Sequence, residues 1–565
     1  MKAMGDTGSE EELFRQYERV LDSYHTRLAL WARPTEVAAY ALLAAFDMQY
    51  MYRLHAAPDA PETLMRQQSI RTEHGLSEAI RWLCRRREPK DVIPTDDKNV
   101  ISEAQKFIYH AASYSEIADQ YRAVGRGLCR YEIEPATKTL RFIPIGGMGG
   151  SALGDGQFEL IEAVEDPRKH SHLIGKADVI REAFALCRRA KHHCEDGRIV
   201  FHDPSVLNLP ELRAYVDLGT SWNRLLLPDD CDLAGFNLSD LDAFWHALRR
   251  WGHCCMVLTS RLATEQLVLH QCLPTQVVGR EAFVEKMAIL SDLDTAAVRD
   301  ITDRMSYDPA ISNPDIFLQP LVAAVKRVAW SPSLVAISTY RRNTLKLMAR
   351  DPRYRTLAAN VIGLRHRALL RELGQLLSRR GYQFAIERRL SWKGEETDLD
   401  LLAYDSSCPN EVLLVEGKAM LSPDEVNEVH QATREMIDGQ RQLRLAEKIL
   451  RNMKPESRSV IYRFVDWTKV SRYLPIVVSA DAEPDPAYDH TEIPGISFLT
   501  LKNRLQSKDY RRPSRIWQAC LDREWLREHR MCQRGHESHR IGDITFAVPI
   551  RTKPDATGAS DTDLR

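Results

Sequence analysis

The sequence predicts a multidomain α/β protein, with a helix-rich N-terminal half followed by an α-β-β-β-α-β module around a central mixed sheet. Three observations carry that prediction. An apolar helical stripe of Leu369, Leu373, Leu376 and Leu377 ends near Gly381, where a left-handed residue stops a helix. Three strand-like runs follow: Gln383 to Trp392, a run centred on Thr397-Asp398-Leu399-Asp400, and Val412 to Lys418. A second amphipathic helix and the strand Leu474 to Ser479 then complete the order helix, three strands, helix, strand.

The bulk numbers bound the rest. A chain of 565 residues is long enough for roughly three or four domains. Hydrophobic residues at 44% and charged residues at 28% are ordinary globular values, which excludes a fibre or a disordered chain. Lys+Arg 78 against Asp+Glu 79 is balanced, so any nucleic-acid surface has to be a local patch. The odd, scattered set of Cys 11 suits free thiols in a reducing compartment. The most apolar N-terminal stretch, Ala38 to Phe46, is far too short to span a bilayer. A soluble, cytoplasmic protein is therefore expected.

From the N-terminus, residues 1–130 read as a helical domain. Ser9-Glu10-Glu11-Glu12 has the form of a capping box, and Pro34-Thr35-Glu36 restarts a helix towards Met51. Residues 131–350 form a mixed α/β region of unknown role, with a strand from Leu140 to Ile145 that runs into a glycine cluster. Its later part is mixed helix and short strand, Val322 to Trp330 and Leu334 to Ser338 among them. The α-β-β-β-α-β module occupies 351–510, and 511–565 forms a C-terminal extension with a small, polar tail expected to be disordered after Lys553. No fixed-period repeat is present.

Within the module, Val412 to Val415 is apolar without alternation, as a central strand covered on both faces requires. Ser422-Pro423-Asp424-Glu425 starts the second helix, with an N-cap serine and proline at the first helical position. Val426, Val429, Met436, Ile437 and Leu443 form its stripe. Between the second and third strands, Ser406-Ser407-Cys408-Pro409-Asn410 reads as a five-residue hairpin loop. A hairpin symmetric about Cys408 sets Asp400 opposite Glu416 and Asp398 opposite Lys418. Two carboxylates across such a pair are roughly 5 Å apart at Cβ and can share one divalent cation.

Asp on the second strand and Glu416-Gly417-Lys418 on the third, in this element order, resemble the PD-(D/E)XK nuclease superfamily. That superfamily includes many restriction endonucleases, Holliday-junction resolvases and repair nucleases. The proline that often precedes the catalytic aspartate is replaced here by Leu399. The resemblance implies a restriction-endonuclease-like domain and an Mg²⁺- or Mn²⁺-dependent endonuclease. Its substrate is expected to be nucleic acid, DNA before RNA, in restriction, antiviral defence or repair. Asp400 and Glu416 would ligate the metal, the Gly417 carbonyl would add a ligand, and Lys418 would orient or activate water. Glu372 is the candidate acid on the upstream helix, and a homodimer or larger defence or repair complex is implied for double-strand cutting. The alternative is a catalytically silent nuclease fold that binds nucleic acid or serves as a scaffold.

Asp398 reads as a solvated neighbour of the true ligand, and Gln440 as a core-edge amide within reach of the site. Basic residues crowd the elements before the hairpin: Arg365, Arg367, Arg371, Arg379, Arg380, Arg388, Arg389 and Lys393. They either neutralise flanking phosphates or form a solvated face. Trp392 either stacks on a base or packs. Gly146 to Ser151 lacks the Lys-Ser/Thr of a phosphate loop, and no Gly-x-Ser-x-Gly elbow is present. His170, His172, His192, His193 and Cys194 lack a Cys-x-x-Cys partner. Cys520, His529, Cys532, His536 and His539 are the better zinc candidate, although their spacing matches no standard finger. Cys254-Cys255 reads as core.

Overall fold

The computed structural model describes the chain outside residues 1–6, 57–61, 88, 128, 146–184, 186–191, 196–197, 202–206, 211–226, 267–272, 312, 422–425, 482–487, 489–491, 523–532 and 553–565. The glycine cluster, the serine-proline cap at 422–425, His170, His172, His529, Cys532 and the polar tail thus lie outside the described residues. The protein is α/β with a helix-rich N-terminal half. Its chain divides into two compact units, one of residues 1–118, 168–359 and 541–544, the other of 119–167, 360–540 and 545–565. No helix among the described residues is long and apolar enough to cross a membrane.

In the first unit, the helix Thr35–Ala56 begins where the Pro-Thr-Glu signal sits, and every residue from Ala38 to Phe46 is buried. Ser9, read as a helix cap, instead lies inside the helix Thr7–Ser23. Val322 to Trp330 forms a hairpin of Leu321–Ala323 with Arg327–Trp330, whereas Leu334 to Ser338 falls mainly in the helix Pro332–Ile337. Buried Asp47 ties these parts together. It accepts hydrogen bonds from Ser331 Oγ at 2.6 Å and from the Ser333 amide at 3.0 Å, at the start of that helix. Cys254 and Cys255 are fully buried, as their core reading requires.

A second buried group should make this unit sensitive to acid. His110 packs among Trp82 and Tyr24, and its Nε2 has no hydrogen-bond partner. Burial first, then the charge of His25, pulls its pKa down to about 4. Below its ordinary value the unfolded chain takes up a proton that the folded chain refuses, so stability is full above about pH 6.5 and falls as pH drops towards 4. His110→Leu should flatten this acid limb by up to about 3 kcal/mol, read from urea unfolding at pH 7 and pH 4.5. Equal acid sensitivity in the variant would refute the assignment.

The second unit holds the expected module. Its helix α1 (Arg355–Ser378) leads to strands β1 (Gln383–Trp392), β2 (Glu395–Tyr404) and β3 (Glu411–Lys418). Helix α2 (Val426–Asn452), β4 (Arg472–Ser479) and β5 (Gly495–Ser497) follow. The sheet order is β5-β4-β3-β2-β1, with β3, β4 and β5 parallel and β1, β2 and β3 antiparallel, so the sheet is mixed. Gly381 takes φ +94 after α1, the left-handed conformation that stops the helix. Lys393 and Gly394 both take positive φ, which gives β1 and β2 a two-residue turn matched to strand twist. β3 lies between β2 and β4 and is buried up to Gly417, as its unbroken apolar run demands.

Strand pairing in this unit joins stretches that are far apart in the sequence. A four-stranded sheet joins Cys129–Glu134 and Thr139–Pro144 to Ile544–Thr552 and Gln533–Ile541. The helix Pro513–Leu521 packs on the module: Glu411 accepts from the Ser514 amide at 3.0 Å, and Trp517 Nε1 donates to the Pro475 carbonyl at 2.9 Å. The segment after residue 510 is therefore partly an integral piece of this unit.

Candidate active site

The hairpin takes the register read from its loop. Tyr404 pairs with Val412, Ala403 with Leu413, Leu402 with Leu414 and Leu401 with Val415. The ladder stops there, one position short of Asp400. Freed from pairing with β3, the Asp400 carboxylate accepts from the Gly417 amide at 2.8 Å through Oδ2. Its Oδ1 lies 3.4 Å from His366 Nε2 on α1. Asp400 thus meets the residue after Glu416, together with a histidine that the sequence reading did not single out.

Glu416 is 3% exposed. Burial, followed by the negative charge of Asp400, pushes its pKa up, and Lys418 opposes both. Lys418 Nζ donates to Glu416 Oε1 at 2.8 Å and to Gln442 Oε1 at 2.6 Å. The expected Asp398–Lys418 pair does not form: Asp398 pairs with Arg389 on β1 and is exposed. The hydrogen bond to Asp400 holds the pKa of His366 above the usual imidazole value against the opposing effect of burial.

Two glycines let the helices approach these groups. A Cβ at Gly439 of α2 would stand 3.0 Å from Lys418 Cε and 3.2 Å from Glu416 Cγ. A Cβ at Gly417 would stand 2.8 Å from Leu370 Cδ2 of α1. The sheet end is therefore sandwiched, with Glu416 and Lys418 towards α2 and Gly417 towards α1. Gly439→Ala should displace the Lys418 amine by a few tenths of an ångström and lower any cleavage rate about ten-fold or more, with the melting temperature little changed. Steady-state rates beside a thermal melt check this, and an unimpaired rate counts against close packing as a requirement.

Several expected participants are elsewhere. Glu372 is exposed on α1, and none of the described hydrogen bonds or ion pairs joins it to Asp400 or Glu416. Six residues at 100° each separate it from His366, which puts the two on different faces of the helix. Gln440 is buried and donates to the Ile493 carbonyl at 2.9 Å, the core-edge role, and Gln442 is the glutamine that reaches the site. Arg365 is 1% exposed, so it serves no external phosphate. Its guanidinium donates to the carbonyls of Ala419 and Met420 at 3.2 and 2.8 Å and pairs with Asp481.

Among the remaining basic residues, Arg367, Arg371, Arg379, Arg388, Arg389 and Lys393 are exposed, with Arg389 ion-paired to Glu396. Arg380 is half-buried and donates to the Ser507 carbonyl at 3.1 Å. Trp392 packs against the core beneath α2, the bland alternative. The zinc candidate does not assemble among the described residues: Cys520 is buried in its helix, and no ligand group combines it with His536 or His539.

Two carboxylates beside an imidazole form a donor set that fits a hard divalent cation such as Mg²⁺ or Mn²⁺. Asp400, Glu416 and His366 do not have three donor atoms mutually within 4.8 Å, and Glu416 is engaged by Lys418 instead. Comparison with known proteins finds no matching family model, no matching curated protein and no matching solved structure.

Proposed function

We propose that residues 351–510 form a restriction-endonuclease-like domain of the PD-(D/E)XK type, and that the protein is a metal-dependent endonuclease acting on nucleic acid, DNA before RNA. One observation supports this above the others. Two acids and an amine gather at one end of the β2–β3 ribbon, where Asp400 accepts from the Gly417 amide towards α1 and Lys418 donates to Glu416 towards α2. Glu416 is 3% exposed, where a carboxylate needs a cation or hydrogen-bond donors beside it.

Asp400 and Glu416 would hold Mg²⁺ or Mn²⁺, with His366 and the Gly417 carbonyl as further donors. The cation would supply Lewis acidity at the phosphate and a more acidic bound water. Glu416 would hold the cation in place of the Lys418 amine, and the positive charge would offset the repulsion between buried Glu416 and half-buried Asp400. Lys418, which Gln442 also holds, would orient the attacking water and stabilise the charge that grows on the phosphorane. Gly439 and Gly417 let α2 and α1 pack closely against the two faces of this end of the sheet. The exposed arginines of α1 and β1 are the candidates for phosphate contact.

The test is cleavage of single-stranded, duplex and branched substrates by the full chain in Mg²⁺ or Mn²⁺, with and without EDTA. Cation-dependent cuts within the substrate are expected. Tight nucleic-acid binding with no cleavage in either cation would instead assign the silent, binding-only role.

A further inference from the structure

The two ladders around Asp400 break at the same place. Between β1 and β2, Ile386 pairs with Leu401 and Arg388 with Leu399, but Glu387 and Asp400 between them do not pair. Between β2 and β3 the last pair is Leu401 with Val415. Asp400 is thus released by both neighbours, inside a strand that is otherwise fully laddered on the β1 side. Opposite it, Glu387 takes φ +51, a left-handed backbone that a residue with a long side chain rarely adopts.

The break also shifts the alternation of faces. Ala385 and Leu402 on one side of it, and Leu390, Trp392 and Leu399 on the other, all belong to the core under α2. Ala385 and Leu390 are an odd number of residues apart, as are Leu402 and Leu399. A regular strand would send the members of each pair to opposite faces. One residue per strand therefore absorbs the change, and on β2 that residue is Asp400. Its carboxylate reaches across to His366 on α1 and to the Gly417 amide.

We propose that Glu387 is a positioning residue for Asp400, whose left-handed backbone opens the ladder and aims the Asp400 carboxylate at His366 and Gly417. This rests on the nuclease reading above and adds a residue to it. Strained backbone held in place by its surroundings is a recurrent feature of sites that must present a side chain out of register. Glu387 also carries its negative charge near His366, so the test has to separate backbone from charge.

Glu387→Gly and Glu387→Gln retain access to the left-handed turn or the side-chain shape, whereas Glu387→Val resists positive φ. Two readouts serve on the full chain. One is Mn²⁺ affinity, from loss of the free-ion electron paramagnetic resonance signal. The other, in ion-free protein, is the imidazole nuclear magnetic resonance signal of His366, assigned by its loss in His366→Gln. Glu387→Gly and Glu387→Gln should bind Mn²⁺ within about two-fold of the native chain with the His366 signal in place. Glu387→Val should lose about ten-fold or more and shift that signal. If Glu387→Val melts early, Glu387→Thr carries the same expectation with a smaller apolar change. A β-branched variant with native affinity and an unmoved signal overturns the proposal. So does a Glu387→Gln loss as large as that of valine, which would make the carboxylate the active part. If the native chain binds no Mn²⁺, the nuclease reading fails, while the His366 signal still decides whether Glu387 places Asp400.

Discussion

Asp400→Ala, Glu416→Ala and Lys418→Ala should each lower Mg²⁺-dependent cleavage by about a thousand-fold or more, with the fold intact. The three are not equivalent. Loss of Asp400 removes the partner of His366 and of the Gly417 amide, so it should weaken Mn²⁺ binding most directly. Loss of Lys418 frees Glu416 from its amine and should leave cation affinity unchanged or raised while the rate collapses. That split between binding and rate is the signature of a residue acting on water and phosphate. Rates, Mn²⁺ affinity and thermal melts for the three variants decide it. Full activity in all three would end the nuclease reading.

The second large effect concerns stability. Arg365→Met should cost about 3 kcal/mol in the unit that carries the sheet. The guanidinium is almost wholly buried, and its removal takes a charged donor from the half-buried Ala419 and Met420 carbonyls and from the Asp481 carboxylate. These acceptors follow the ends of β3 and β4, directly beyond Lys418. Arg365→Lys should recover only part of the loss, because a single ammonium cannot reproduce a planar fork. Urea unfolding of both variants measures it, and a shift below about 1 kcal/mol for methionine would show the contacts to be dispensable.

Arg365 also illustrates how far sequence carries a functional argument. Composition placed it in a basic cluster available to phosphate, and packing turned it inward. The neighbouring histidine is the converse case. His366 precedes Leu370 by four residues and Leu369 by three, so the apolar stripe already contained the signal that it faces the sheet. Glu372, the acid expected on that helix, lies on another face and is exposed.

Local pattern alone determined the three strands, the hairpin register and the burial of β3. A run such as Val412 to Val415 has one stable environment, and a five-residue loop leaves few registers open. The same local logic put Asp and Glu-x-Lys at one end of one ribbon. What the tertiary structure decided is everything that depends on how elements turn against each other. Helix rotation brought His366 and Gln442 to the site in place of Glu372 and Gln440. The left-handed Glu387 shifted the face of β2 by one residue, which strict alternation cannot anticipate. Pairing between residues about four hundred positions apart built a sheet from both ends of the second unit. Periodicity records which face of an element is apolar, whereas the partner that covers that face, and the place where a strand breaks step to reach it, follow from packing across the whole chain.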